Sequence, residues 1–151
     1  METPYIYNFL NDDEMLRISN KIKEHEKNTS GEICVSIKEG KTFNEKKKDL
    51  KQLAEEEFFR RNIDKTKDKT GILIFILLKE KKFYILADSG INEKVSPETW
   101  DSIKDKMQVM FSDGKFAKGI IYSIEEVGII LARHFPIKAG DINELSNKIN
   151  F

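Results

Sequence analysis

The 151 residues contain one cysteine, three prolines, one tryptophan and two histidines, and 26 basic side chains cancel 26 acidic ones. Each shortage excludes something. A lone Cys34 rules out an intramolecular disulfide framework. His25 and His134 have no cysteine or second histidine at metal-ligand spacing, which removes a zinc site built on them. A net charge of zero gives no long-range field to attract a polyanion, so nucleic acid is not the expected partner. The N-terminus, METPYIYNFLNDDEM, lacks a basic segment followed by an apolar one, so it does not read as a secretory signal. The longest apolar run, Gly71 to Leu78, falls far short of the roughly twenty residues that cross a bilayer. No membrane insertion is expected, and a soluble cytoplasmic protein is. Nor is there a Walker loop, a Ser-His-Asp set or a GxGxxG.

What is present is a core under a heavily charged exterior: 39% hydrophobic and 34% charged residues. A chain of this length buries roughly two-thirds of its unfolded surface as one domain. The segment from Lys69 to Asn92 says most about it. The apolar run Gly71–Leu78 meets a charged stretch, Lys79 to Lys82. A second apolar run, Phe83 to Ala87, then ends at Asp88-Ser89-Gly90. Two short β-branched-rich runs joined by a few polar residues predict an antiparallel hairpin of buried strands.

Upstream, Asn11-Asp12-Asp13-Glu14 has capping-box form, with acids where the helix dipole favours them. Met15, Ile18 and Ile22 follow at helical spacing, predicting a helix from about Asp12 to Asn28 that ends at Thr29-Ser30-Gly31. Glu32 to Ile37 alternates as a strand, with Ile33, Val35 and Ile37 on one face and Cys34 and Ser36 on the other. Thr42-Phe43-Asn44-Glu45 is a second capping box, expected to open the helix carrying Leu50, Leu53, Ala54 and Phe58. Strand, helix, strand is a βαβ unit, whose two strands run parallel if they share a sheet.

Downstream, Ser96-Pro97-Glu98 predicts a helix start, followed by a stripe of Trp100, Ile103, Met107 and Met110. A long helix from about Lys115 to His134 turns Ala117, Ile120, Ile124, Val127 and Leu131 inward, and its Gly119 and Gly128 predict close packing on a neighbour. Apolar residues persist through the tail 136–151, which is expected to dock on the domain. The fold class is therefore α/β, a three-layer α-β-α sandwich. Its mixed sheet of three to five strands contains a βαβ unit followed by a hairpin, with helices on both faces.

Several of these segments resemble the TPM domain, a family named for a thylakoid lumen phosphatase, a photosystem repair protein and a receptor modulator. The resemblance is carried by Thr29-Ser30-Gly31-Glu32-Ile33, Thr70-Gly71-Ile72-Leu73, the ADSGIN ending at Asn92, and Phe116 with Gly119. It covers about residues 9 to 135 of a single domain spanning 1–151. The HFP at 134–136 and the tail are similar to those of free-standing cytosolic bacterial members. The resemblance implies a mixed sheet between helices, a divalent-metal site of carboxylates in some members, and acid-phosphatase activity in the plant branch. Lys69-Thr70 and Ala87-Asp88 depart from the commoner family pattern of Asn before the first glycine and Gly-Asp at the later turn.

Parallel strands at Ile33 and Ile72 begin at one end of the sheet, and the strand at Phe83 runs back to it. That direction predicts that Glu32, Asp68 and Asp88 meet at one rim, with Asp101 and Asp105 at i and i+4 on one helix face able to reach it. Crowded carboxylates repel, and an oxygen-rich cluster suits Ca²⁺ or Mg²⁺. The plainer alternative is that these five acids are turn and cap residues that never meet. Cys34 has no Arg at phosphatase-loop spacing and reads as a buried strand residue; Lys46-Lys47-Lys48, flanked by acids, reads as a solvated helix face. Two functions follow as expectations. The first is a monomeric, divalent-cation-binding module that contacts an unidentified protein. The second is a metal-dependent acid phosphatase acting on phosphomonoesters, with Lys67 and Lys69 near the phosphate.

Overall fold

The computed structural model describes residues 4–137; the tail expected to dock falls almost entirely beyond them. Three strands, β1 (Glu32–Lys38), β2 (Gly71–Leu77) and β3 (Lys82–Ala87), form one sheet in the order β1-β2-β3. β1 and β2 are parallel, with Glu32 opposite Gly71; β2 and β3 are antiparallel, with Ile72 opposite Ala87. The five described helices are α1 (Asp12–Glu26), α2 (Leu50–Arg60), α3 (Ser89–Asn92), α4 (Thr99–Ser112) and α5 (Phe116–His134).

Strand parity sorts the core into two halves. Ile33, Val35, Ile37, Ile72, Ile74, Ile76, Phe83 and Ile85 pack with the apolar stripes of α1, α4 and α5. Cys34, Leu73, Phe75 and Leu77 pack with Leu53, Ala54 and Phe58 of α2 on the opposite face. This is the mixed sheet between helix layers that the sequence predicts. β2 is buried at every position because it is central and covered twice. Gly119 and Gly128 explain the tight seams around α5. A Cβ at Gly119 would lie 2.9 Å from the Phe111 ring, and one at Gly128 would collide with the His25 imidazole.

Three helix starts and stripes differ from expectation. Thr42–Glu45 does form a turn, with the Thr42 N–H donating to Glu45 Oε1 at 2.9 Å, but that turn is a 3₁₀ segment that stops at Glu45. Lys46 to Lys48 offer no apolar side chain to hold a helix down, and short helices depend on packing. A separate box, Asp49 with Gln52, opens α2 where the apolar stripe begins. α4 starts at Thr99, after a lead-in turn in which the Thr99 N–H bonds the Ser96 carbonyl. Its stripe ends on fully buried Phe111, with Met110 only half-buried, because a 4-residue step continues the face from Met107. Thr29 does more than end a helix. Its hydroxyl donates to the Phe135 carbonyl at 2.5 Å, fastening the end of α5 beside β1.

Candidate functional site

The rim where β1 and β2 begin and β3 ends is assembled around Gly71. Glu32 stands opposite Gly71 across one ladder, and the Asp88 N–H donates to the Gly71 carbonyl across the other at 2.9 Å. Chain direction thus puts all three β segments' acidic ends on one rim. The rim does not become a cluster of five. Two strand spacings, about 10 Å, separate the backbones of Glu32 and Asp88, and Glu32 is buried. Asp101 and Asp105 are exposed on α4, and Asp101 is paired with Lys104 at 3.2 Å. Among the described residues, no group of three or more His, Cys, Asp or Glu side chains is disposed to hold a metal ion.

Asp68 and Asp88 are the two that come close, and backbone contact brings them there. Asp88 leaves β3 and caps α3, its Oδ1 accepting from the Ser89 N–H at 2.7 Å. Gly90 in that short helix is pressed against the Asp68 and Lys69 carbonyls, so that any Cβ there would collide with both. Lys69 takes a left-handed backbone (φ 57°) to make this approach, and its ammonium donates to the Asp64 carbonyl at 2.5 Å. The Asp68 side chain is exposed.

Two carboxylate oxygens at this corner are buried and unsatisfied: Asp88 Oδ2 and Asp64 Oδ1. An orphaned buried acceptor costs about 1–3 kcal/mol, so each is a place where a cation or a donor would be taken up. Asp64 escaped the sequence reading because it sits in a 3₁₀ turn, Ile63–Lys65, with no periodicity or capping pattern to mark it. Its neighbour Ile63 abuts Gly71, which joins this turn to the rim. The corner's donor set is therefore one free carboxylate oxygen on Asp88, the exposed Asp68 carboxylate and neighbouring carbonyls. Hard cations accept such mixtures, completed by water.

Cys34 lies buried in β1, and burial pushes its thiol up to about 12. A thiol held protonated at neutral pH is no nucleophile, in keeping with a packing residue. No helix among the described residues is long and apolar enough to cross a membrane.

A family model, the TPM domain, matches residues 7–129. No functionally curated protein matches the chain. Among solved structures, it is similar to the BA42 protein of the psychrophilic bacterium Bizionia argentinensis. The two are 37% identical over 94% of each chain, with a TM-score of 0.84. It also shares its fold with the N-terminal domain of a P. gingivalis protein. That likeness has 13% identity and a TM-score of 0.69, covering 84% of this chain and 79% of the other. A sandwich of this topology, matched by the family model over most of its length, belongs to the TPM domain family.

Proposed function

We propose that this TPM domain is a cytoplasmic interaction module whose rim takes up a divalent cation, Ca²⁺ or Mg²⁺, at Asp88 and Asp68. The observation that carries the reading is the buried, unpartnered Asp88 Oδ2 beside a loop whose carbonyls are packed on Gly90. A bound cation would supply positive charge to that oxygen and tie the loop 66–70 to the start of α3, setting the shape of the rim. Glu32, Asp101 and Asp105 lie outside this smaller site. The affinity expected of so few protein ligands is weak, on the order of 10⁻⁴–10⁻³ M.

Calorimetric titration with Ca²⁺ and with Mg²⁺ tests this directly. Asp88→Asn is the matched control, because asparagine caps a helix as well as aspartate while lacking the charge. Saturable heat that disappears in Asp88→Asn supports the rim site; no heat at millimolar metal, or heat indifferent to the substitution, removes it. Metal-dependent hydrolysis of p-nitrophenyl phosphate that is lost with Asp88→Asn would replace the binding reading with the phosphatase one.

A further inference from the structure

A cleft of about 350 Å³ runs along the outer side of β3 to its last residue. Its floor is four consecutive residues, Tyr84 to Ala87; α2 contributes Lys51 to one wall, and α4 contributes Trp100, Asp101 and Lys104 to the other. Consecutive residues alternate between the two faces of a sheet, so a cleft that touches all four follows the strand's edge.

The ladder fixes which backbone groups meet that edge. The Asp88 N–H bonds the Gly71 carbonyl, so Asp88, Leu86, Tyr84 and Lys82 are the members that exchange hydrogen bonds with β2. The N–H and C=O groups of Phe83, Ile85 and Ala87 therefore point outward. Among the described residues one is occupied: the Asn92 side-chain amide donates to the Ala87 carbonyl at 3.1 Å. The side chains of Phe83, Ile85 and Ala87 point into the core, so it is their backbone edge alone that meets the cleft.

We infer that β3 is a docking edge for an extended, uncharged peptide segment of a partner protein, which joins the sheet as a fourth strand. Donors and acceptors on alternate residues, about 7 Å apart, are a pattern that an extended polypeptide backbone matches. A helix, whose backbone groups are already bonded, does not match it. The charges along the cleft balance, Lys51 and Lys104 against Glu98 and Asp101, so a charged peptide gains nothing over a neutral one. The edge is also flanked by Lys51 of α2 on one side and by Trp100, Asp101 and Lys104 of α4 on the other, so whatever reaches its backbone comes in between the two helices.

One side chain guards the edge. Lys104 reaches from α4 to place its ammonium 5.5 Å from the centre of the Tyr84 ring, on the other face of the sheet. Among the described residues its ion pair is with Asp101, three residues away and exposed. Such pairs contribute about 1 kcal/mol at most, so an incoming strand displaces it readily. This proposal rests on the domain being an interaction module, but it uses the backbone edge of β3 and not the acidic side chains of the rim, and needs no cation.

The full chain carries its own reporter, because Trp100 is the single tryptophan and lines the cleft. The probe is a blocked six-residue peptide of alternating valine and threonine, titrated with EDTA present while Trp100 emission and amide hydrogen exchange are followed. The expected result is saturable emission change with exchange at the Phe83 and Ile85 amides slowed roughly tenfold. The same peptide N-methylated on alternate residues should fail to bind, and Lys104→Ala should bind two- to threefold more tightly, about the worth of the displaced contact. No saturation at millimolar peptide overturns the proposal. So does an emission change without protection of those two amides, which would mark an apolar cleft and not a strand edge. Protection that rises with protein concentration and no peptide overturns it as well, by giving the edge to a second copy. Because EDTA is present throughout, failure here leaves the calcium titration of the rim untouched, and the reverse holds too.

Discussion

The sheet has two outer edges, and the chain treats them differently. Along β1, the outward N–H of Ile33 donates to the Glu26 carboxylate at 3.0 Å, and the outward carbonyl of Val35 accepts from the Arg61 guanidinium at 3.0 Å. Arg61 also donates to Ser36 Oγ at 2.7 Å. Ile33 and Val35, packed in the core on the same strand, are buried to 0% exposure. Along β3, among the described residues, there is only the Asn92 amide at one end and a lysine lying over Tyr84. Exposed edges invite pairing with other chains, and proteins usually cover them with charge or side-chain hydrogen bonds. Here one edge is closed by fixed groups from α1 and the end of α2, and the other by a side chain that can swing away. The proposed docking at β3 rests on that asymmetry.

The largest expected effect tests which groups of β3 face outward. Leu86→Pro should lose about 3 kcal/mol or more beyond Leu86→Ala in urea unfolding, because it deletes a ladder donor. Ile85→Pro should lose less than about 1 kcal/mol beyond Ile85→Ala, because its N–H serves no ladder bond. Equal penalties would dissolve the contrast between the two edges. On the closed edge, Arg61→Leu strands the Val35 carbonyl and should cost about 1–3 kcal/mol. Glu26→Gln, which keeps an acceptor for Ile33, should cost less; amide exchange at Ile33 reports on both.

A third effect follows from the depth of Cys34 in β1. Burial holds its thiol well above the ordinary value of 9.0, at about 12, so the unfolded chain loses the proton first. The stability this group contributes is complete below pH 9 and declines as pH rises toward 12. Denaturant midpoints of the parent chain and Cys34→Ala should therefore converge or cross over that interval and run parallel below it. A constant difference across it would mean that the edge beside Cys34 admits water. The smallest effect belongs to the guard on β3. Lys104→Ala should change stability by less than about 0.5 kcal/mol while speeding exchange at the Ile85 amide.

The hairpin, the βαβ unit and the inward stripe of α5 were legible because each is a local periodicity in apolar residues. Gly119 and Gly128 were legible as close-packing sites because glycine inside a helix is costly without one. The capping box at Thr42 was legible too, but its consequence was not. Whether a cap propagates into a helix depends on whether the next residues find a core, and Lys46 to Lys48 do not. At the site, the shared rim of the Asp68 and Asp88 segments followed from strand direction. Where Asp101 and Asp105 stand did not, since helix-face spacing says which side chains share a face and not where that face points. Asp64 carried no local signal at all.

By itself, the order of apolar runs and turn residues determined the βαβ unit and hairpin of the sheet, its mixed direction and the rim on which its strand ends fall. Those follow from hydrogen-bond geometry and chain connectivity, which are properties of neighbours in sequence. That the sheet stops at three strands among the described residues was the structure's to decide. Only the tertiary structure decided that Glu26 and Arg61 close one edge, that Lys104 loosely guards the other, and that Asp88 keeps a buried oxygen without a partner. Each of these depends on a side chain reaching a backbone or a burial site set by a different element, over distances that no repeat or spacing in the sequence encodes.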